Sequence, residues 1–304
     1  MKTGSGRTLT ARKWRERRLA AVLIAPALIV FLLFMFWPLV YTMYLSFYDW
    51  NMVSPKMVAV GFDNYIKVMQ DPVMWQIMRN TVVYLLLLVF FSFAVPYVMA
   101  FVNTFMMKKG KDIYKTLLFI PSLISLVVGA IVLQWIFNPL TGPVGALAGM
   151  FGMTMPTWSK TGGLVIFVIS LVAVYKAFGY NFLILLSGMS SVSEELIEAA
   201  RLEKAPARSI FSKIVVPLTS SSAVYILIMC MVQGIQYVFT PIKVLTQGGP
   251  NNASSNLIYH AYETAFTYYE TGISSVVSVV TLVLFVLLLF LEFKYVEEEV
   301  YYEN

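Results

Sequence analysis

The chain has 304 residues, of which 59% are hydrophobic and 12% charged, and its mean hydropathy is +0.75. Soluble globular proteins have about 25% charged residues, so a chain this apolar could not cover a water-facing surface. These values exclude an ordinary soluble enzyme and indicate a protein that crosses the membrane several times. The single cysteine, Cys230, excludes a disulfide framework, and the single histidine, His260, argues against zinc sites and His-based catalysis.

Six stretches are apolar over the roughly 20 residues that a helix needs to cross a bilayer. They run over about 19–47, 80–106, 116–137, 163–189, 215–239 and 272–293. None of them shows the strand-like alternation of a membrane β-barrel. We therefore predict an all-α fold with six transmembrane helices. A basic tail, 1–18, precedes a single membrane domain, 19–304.

The Lys and Arg residues are distributed unevenly over the connections. Sixteen of the 22 fall in the N-terminal tail, in 108–115, in 201–213 and at Lys294, whereas five fall in the alternate connections. Because cytoplasmic loops carry the Lys and Arg excess, both termini are predicted to lie in the cytoplasm. This topology explains the net charge of +6, so no nucleic-acid partner is expected. The spans are expected to contact membrane lipid.

The chain lacks the usual means of driving transport by itself. It contains no GxxxxGK[ST] phosphate-binding loop, so it is not expected to hydrolyse ATP. No Asp or Glu lies well inside a span, and Glu292 is at a membrane edge, which argues against an ion-coupled carrier. We expect no catalytic residue, no metal site and no cofactor, and any energy for transport would come from another subunit.

The connection between the fourth and fifth spans, 190–214, is predicted to form two short helices with a bend. Ser191 and Glu194 fit a capping box at the start of the first helix, and Pro206 suits the first turn of the second. Its small and apolar residues include Leu196, Ile197, Ala199, Ala200 and Phe211. Periodicity alone leaves two interpretations open, since this surface could pack on its own bundle or bind another protein.

The same connection resembles the EAA loop of ABC importer permeases, whose pattern is E-A-A-x3-G-x9-I-x-L-P. The matching residues are Glu198, Ala199, Ala200, Ile214 and Pro217. Lys204 stands where the family has Gly, which normally permits a left-handed turn. A Lys in that conformation would cost roughly 1 kcal/mol, and Pro206 could shape the bend instead.

Six further fragments resemble the same family and occur in the same order. They are Gly61–Tyr65, Arg79–Thr81, Thr116–Pro121, Trp135–Pro139, Tyr175–Asn181 and Leu245–Pro250. Together they are similar to the carbohydrate-uptake branch, and within it to the first permease subunit of maltose-type and glycerol-phosphate-type importers. The resemblance covers nearly the whole chain.

The resemblance implies the type I ABC importer permease fold in the cell membrane of a prokaryote. It also implies a heterodimer with a second homologous permease, an ATP-binding subunit dimer that hydrolyses ATP, and an extracellular solute-binding protein. In this family the loop docks into a groove of the ATPase. The candidate ATPase-coupling residues are therefore Glu198, Ala199, Ala200, Lys204, Pro206 and Phe211.

Polar residues in the fourth and fifth spans are candidates for contact with the substrate. They are Tyr175, Tyr180, Asn181, Gln233, Gln236 and Tyr237. The last three are spaced to share one helix face, and amide, hydroxyl and aromatic groups together suit a sugar. Hydrogen bonding between helices is the alternative interpretation. We expect Lys176 to be structural.

The predicted function is half of the translocation path for a sugar or oligosaccharide. A glycerol-3-phosphate-type permease is the alternative, because the C-terminal residues 293–302 resemble the ending of that type. Only Lys176 could meet a phosphate inside the membrane, where Arg would be usual, so a neutral sugar is favoured. An ion-coupled carrier and a scaffold subunit without a path of its own are the remaining alternatives.

Overall fold

The computed structural model describes residues 5–295, without the side chains of 5–13, 15–17 and 295. The predicted tail, 1–18, therefore lies partly outside the described residues. The C-terminal stretch that resembles the glycerol-phosphate type lies largely outside them.

Five continuous helical stretches are long and apolar enough to cross a membrane. They are Arg18–Leu45, Pro72–Met106, Leu164–Ser190, Ser220–Thr246 and Thr271–Lys294, and we call them the first, second, fourth, fifth and sixth spans. The prediction of an all-α membrane protein is confirmed. The second span begins at Pro72 rather than near residue 80, because Asp71 accepts a 2.8 Å bond from the backbone N–H of Val73 and caps the helix.

The third predicted span is not one helix. It consists of Lys111–Leu123 and Leu126–Ile136, which meet at 103°. Pro121 lies in a short 3₁₀ turn at the break, and Ile124 and Ser125 are extended. Because Pro cannot donate a backbone bond and disfavours the preceding turn, the apolar pattern continues while the helix does not. The prediction of a continuous helix over 116–137 is wrong, and the count of six spans holds when the bent pair is taken as one.

In the described part of the chain, short π-helical segments occur within the spans and, in one case, just before the fifth span. They are Leu32–Phe36, Phe90–Ala94, Val102–Met106, Phe211–Val215 and Ile242–Thr246. Three of them end two residues before a proline, at Pro38, Pro96 and Pro217. A proline ring clashes with the carbonyl four residues earlier, and a wider turn relieves the clash.

Smaller elements cover the two ends of the bundle. A two-stranded antiparallel sheet pairs Tyr48–Asp49 with Val58–Ala59. The short helices are Asp63–Gln70, Pro143–Met150, Trp158–Lys160 (3₁₀), Glu194–Leu202, Ala207–Ile210, Val216–Leu218 and Leu257–Phe266. We call the end that holds residues 190–214 the loop end, and the opposite end, which holds 46–71 and 247–270, the cap end.

The fourth span lies at the centre of the bundle. Of its most apolar stretch 61% of residues are buried, against 39% in the second span and none in the first. Phe182 and Leu185 are fully buried in a cluster that also holds Phe101 of the second span and Ile226 of the fifth. The second, fourth and fifth spans therefore form the core that positions the loop end and the cap end.

Candidate coupling loop and substrate-facing surface

The first helix of the loop, Glu194–Leu202, is capped by Ser193. Its hydroxyl accepts a 3.2 Å bond from the backbone N–H of Glu195, whereas the hydroxyl of Ser191 donates to the carbonyl of Gly188. The predicted capping box at Ser191 and Glu194 is therefore wrong by two positions. Acidic residues in the first turn favour the same helix start through the helix dipole.

The bend of the loop lies at Lys204, which adopts the left-handed conformation with φ of 58°. The backbone N–H of Ala205 donates to the carbonyl of Ala200 at 3.0 Å and closes the helix end. Pro206 then begins the second short helix, and its carbonyl accepts from Ser209 at 2.8 Å. Lys204 thus holds the turn that the family's Gly would hold, and Pro206 starts the next helix rather than replacing that turn.

The inner face of the loop is covered by the chain's own bundle. Ile197 and Ile210 are buried, and Phe211 is half-buried between the rings of Tyr97 and Phe101 at centroid distances of 5.4 and 5.1 Å. Of the two interpretations of this loop, packing against the chain's own bundle applies to these three apolar residues. They do not need a partner to leave water.

The outer face of the loop is left open. Glu198 and Ala199 are exposed, whereas Ala200 is half-buried against the same core as Ile197. Leu202, which the sequence did not single out, is 85% exposed and lies three residues from Ala199. That spacing puts Ala199 and Leu202 on one helix face. It is the feature of the sequence from which Leu202 could have been identified.

Basic side chains tie the loop end of the second span to its surroundings. Arg201 of the loop helix donates to the carbonyl of Phe105, and the Lys111 ammonium donates to the carbonyl of Thr104 at 2.8 Å. The last carbonyls of a helix lack partners and carry partial negative charge, so cations suit them. A cavity of about 500 Å³ lies between this helix end and the loop, and Glu198 also lines it.

Two neighbouring residues of the fourth span, the candidate Tyr175 and the structural Lys176, brace the break in the third. The Tyr175 hydroxyl donates to the carbonyl of Ser125 at 2.8 Å. The Lys176 ammonium donates to the carbonyls of Ser122 and Ile124 at 2.7 and 3.1 Å. The carbonyls of Ser122 and Ile124 lie at the break, where regular helical bonding stops. The carbonyl of Ser125 also accepts a 2.9 Å bond from the backbone N–H of Gly129, at the start of the next helix. The geometry agrees with the structural role expected for Lys176.

Asn181, a third candidate, is buried in the bundle. Its amide donates to the carbonyl of Ser92 at 2.8 Å and to the sulfur of Cys230 at 3.2 Å. Pro96, four residues after Ser92, has no N–H to give to that carbonyl, so Asn181 takes its place. In this structure Asn181 therefore forms hydrogen bonds between helices, which was the alternative to substrate contact.

The side chains of the remaining candidates are at least partly exposed on the surface of this chain, and they do not share one surface. Tyr180 and Tyr225 are each 45% exposed and contact each other through their hydroxyl groups. Gln236 is exposed in an apolar groove of about 670 Å³ beside the first and sixth spans, whereas Tyr237 packs on the core. Gln233 is half-exposed. The predicted common surface of Gln233, Gln236 and Tyr237 is thus divided between two environments.

Sequence reasoning missed a clasp at the cap end, where the second span holds residues 247–256, which we call the cap turn. The Gln76 amide donates to the carbonyl of Asn251 at 3.0 Å, and the Asn80 amide to that of Asn252 at 2.9 Å. The Tyr84 hydroxyl donates to the carbonyl of Ser254 at 2.9 Å. The donors are four residues apart and lie on one helix face.

The cap turn has an unusual backbone that explains why it needs such support. Gln247, Asn251 and Asn252 all have positive φ, between 48° and 58°. Residues other than Gly in this region carry strain that the surroundings must offset. The family-like fragment Arg79–Thr81 and the cap turn that follows the fragment Leu245–Pro250 therefore belong to one structural unit, although 170 to 175 residues separate the bonded pairs.

A second tie holds the cap end of the first span. The buried Asn64 amide donates to the carbonyls of Ser46 and Tyr48 at 3.0 and 2.9 Å. Gly272 of the sixth span approaches so closely that a Cβ there would lie 2.0 Å from the carbonyl oxygen of Tyr48. Asn64, from the fragment Gly61–Tyr65, thus joins the first and sixth spans.

Comparisons with known proteins agree with this architecture. The family described as "Binding-protein-dependent transport system inner membrane component" matches residues 93–298. The chain is 30% identical to the probable ABC transporter permease protein YurN of Bacillus subtilis, covering 90% of this chain and 94% of YurN. It is 29% identical to the sn-glycerol-3-phosphate transport system permease protein UgpA of Escherichia coli, covering 95% and 98%.

Solved structures share the fold. A bacterial ABC transporter involved in the import of the acidic polysaccharide alginate superposes with a TM-score of 0.79 at 18% identity, over 94% of this chain and 99% of that chain. A bacterial alginate ABC transporter in complex with an alginate pentasaccharide-bound periplasmic protein gives a TM-score of 0.78 at 17% identity, over 92% of this chain and 94% of that chain. The chain belongs to the binding-protein-dependent inner membrane components, the permease subunits of ABC transporters.

Proposed function

We propose that this permease forms half of the translocation path for a sugar or oligosaccharide. Its partners would be a second homologous permease, an ATP-binding subunit dimer and an extracellular solute-binding protein. The loop end would face the cytoplasm, with both termini there, because it carries most of the Lys and Arg residues. The ion-coupled carrier is set aside, since the chain belongs to an ABC permease family.

The observation that carries the proposal is the open pair of Tyr180 and Tyr225 on the fourth and fifth spans. Polar groups inside a membrane face the bundle interior or a water-filled cavity rather than lipid. This chain alone leaves the pair uncovered, so a second permease would cover the face and a polar path would lie between them. Phenol rings and hydroxyls are suited to the CH and OH groups of sugars.

The site of ATPase contact would be the outer face of the loop. Glu198, Ala199 and Leu202 are exposed there, while the inner face is anchored to the bundle through Ile197 and Phe211. An exposed Leu beside an Ala makes a small apolar surface that another protein could cover. Ala200, Lys204, Pro206 and Phe211 would then act by shaping and anchoring the loop rather than by touching the ATPase.

The substrate would be a saccharide rather than a phosphorylated compound. Lys176 lies near the middle of the fourth span, and its ammonium is already held by the carbonyls of Ser122 and Ile124 rather than free to meet a phosphate. The alternative, a glycerol-3-phosphate permease, rests on the similarity to UgpA, whereas the structural neighbours import alginate, an acidic polysaccharide. The two alternatives differ in whether the path must accept a phosphate group.

A transport assay separates these alternatives. The complex is reconstituted in proteoliposomes with its ATPase and binding protein, and uptake is measured for maltose, an alginate oligosaccharide and sn-glycerol 3-phosphate. We expect uptake of a saccharide that falls at least roughly tenfold in Tyr180→Ala, because lost hydrogen bonds and stacking cost about 1–3 kcal/mol. Leu164→Ala, at an exposed apolar position of the same span, is the control. Uptake of sn-glycerol 3-phosphate alone would contradict the proposal.

A further inference from the structure

The second span is held at both ends by segments that are distant in sequence. At the loop end, Arg201 donates to the carbonyl of Phe105, and the Phe211 ring rests between two aromatic rings of this span. At the cap end, Asn80 and Tyr84 hold the cap turn through four-residue spacing on one face. The two sets of contacts are roughly 20–38 Å apart, at about 1.5 Å of rise per residue.

The fifth span joins the same two segments through the chain itself. It runs over Ser220–Thr246, from the end of the coupling loop to the start of the cap turn. Gly234 lies against the second span, and a Cβ at this position would lie 2.8 Å from Cδ1 of Leu88. The coupling loop, the two spans and the cap turn thus form a closed frame with a contact near its middle.

The weakest point of this frame is braced. The π segment Phe90–Ala94 and Pro96 interrupt the second span and would allow it to bend. Asn181 of the fourth span donates to the carbonyl of Ser92, which the proline leaves without its usual partner. A helix pair that is fixed at both ends and supported at this break moves as a unit rather than flexing.

We propose that Arg201 is a positioning residue that fastens the coupling loop to the second span, so that the second and fifth spans together carry a movement of the loop to the cap turn. This inference rests on the proposed function, in which the ATPase acts at the loop and the binding protein at the other side. Without the Arg201 bond, the loop would hold to the second span through apolar packing such as that of Phe211 on Tyr97 and Phe101. The loop would then move with less effect on the cap turn.

The test measures movement of the cap end in the assembled complex. An environment-sensitive fluorophore is attached to Val244→Cys, an exposed position beside the cap turn, and its signal is recorded before and after trapping with ATP and vanadate. The native Cys230 is buried, and an unlabelled-site control measures its background. A label at Leu140→Cys, exposed on a connection outside the frame, is the control for general changes of environment.

We expect Arg201→Gln to reduce the nucleotide-dependent signal at Val244→Cys by roughly threefold or more, which is within the usual range for coupling residues. Arg208→Gln, an exposed Arg of the same loop, should leave it unchanged, and Arg201→Lys should restore part of it. Tyr84→Phe, which removes only the hydroxyl bond to the carbonyl of Ser254, should reduce the signal from the opposite end of the frame. If Arg201→Gln lowered the signal and Tyr84→Phe did not, Arg201 would act only locally, and the second span would not carry the movement.

The outcomes separate the inference from the function on which it rests. A full signal in an assembled complex that carries both Arg201→Gln and Tyr84→Phe overturns the frame while leaving the importer intact. A parent complex that neither hydrolyses ATP nor changes its signal overturns the proposed function, and the inference with it. Copurification of the subunits verifies assembly in each variant.

Discussion

The first and fourth spans are both long apolar helices, yet they occupy opposite environments. The first is the more hydrophobic of the two, and none of its most apolar stretch is buried, whereas 61% of that of the fourth is buried. In a membrane the lipid is as apolar as a leucine core, so hydrophobicity does not report burial. What distinguishes the fourth span is its polar and small residues, several of which bond to other helices.

The comparison also changes how polar residues in a span are interpreted. Lys176 and Asn181 of the fourth span donate to backbone carbonyls at points where a break or a proline has removed the usual helical bond, and Tyr175 donates to the carbonyl of Ser125 at the same break. The first span contains Pro26 and Pro38 but no buried polar side chain to compensate among its described residues. Polar residues in this protein therefore mark the places where helices are irregular as well as the places open to a substrate.

The largest expected effect comes from the core of the fourth span. Phe182→Ala removes a fully buried ring that packs against Tyr114 at 6.1 Å, and we expect it to destabilise the chain by about 3–5 kcal/mol. Thermal unfolding of the detergent-purified protein measures the change. A loss below about 1 kcal/mol would mean that the fourth span is not packed at the centre of the bundle.

The next effect concerns the brace at the break of the third span. Lys176→Met keeps the length of the side chain but removes the donor to the carbonyls of Ser122 and Ile124, and we expect a loss of about 1–3 kcal/mol. Lys160→Met, at an exposed position before the fourth span, is the matched control and should change stability by less than about 0.5 kcal/mol. Equal thermal unfolding of the two variants would contradict the brace.

A smaller effect of opposite sign is expected in the coupling loop. Lys204 has a positive φ, so Lys204→Gly should relieve strain and stabilise the loop by up to about 1 kcal/mol, partly offset by a more flexible unfolded chain. Glu203→Gly, at the preceding residue with negative φ, should destabilise it instead. Hydrogen exchange of the loop amides measures both changes. Slower exchange in Glu203→Gly than in Lys204→Gly would contradict the assignment of the strained residue.

The sequence predicted the spans well because hydrophobicity over twenty residues is a property of the chain itself. It predicted a bend in the loop, but it left open whether Lys204, at the family's glycine position, or Pro206 would form it. It did not predict the break in the third span, since apolar residues continue through Pro121 and Ser125. Nor did it join Asn80 to the cap turn, because a contact across more than 170 residues leaves no local pattern.

The sequence identified the polar residues of the candidate site but not which of them are exposed. Residue type identified Tyr180, Asn181 and Gln236 as polar groups in spans, and only the packing of the helices separates those that are open from those that brace a neighbour. For the same reason Leu202 was overlooked, because an exposed leucine on a loop is recognisable only once Ile197 and Phe211 are known to be covered. Helix spacing predicts which residues share a face, but it does not predict which face packs against the bundle.

The smallest effect completes the comparison, because it repeats the phenylalanine truncation on the first span. Phe34 is 77% exposed and lies in the π segment Leu32–Phe36, so Phe34→Ala removes a ring that this chain leaves largely uncovered. We expect a change of at most about 0.5 kcal/mol in the thermal unfolding of the isolated chain. The same truncation at Phe182 is predicted to be several times more costly, although both residues belong to apolar helices of similar length. If Phe34→Ala destabilised the chain as much as Phe182→Ala, the first span would have to pack into the bundle in solution, and hydrophobicity would again serve as a measure of burial.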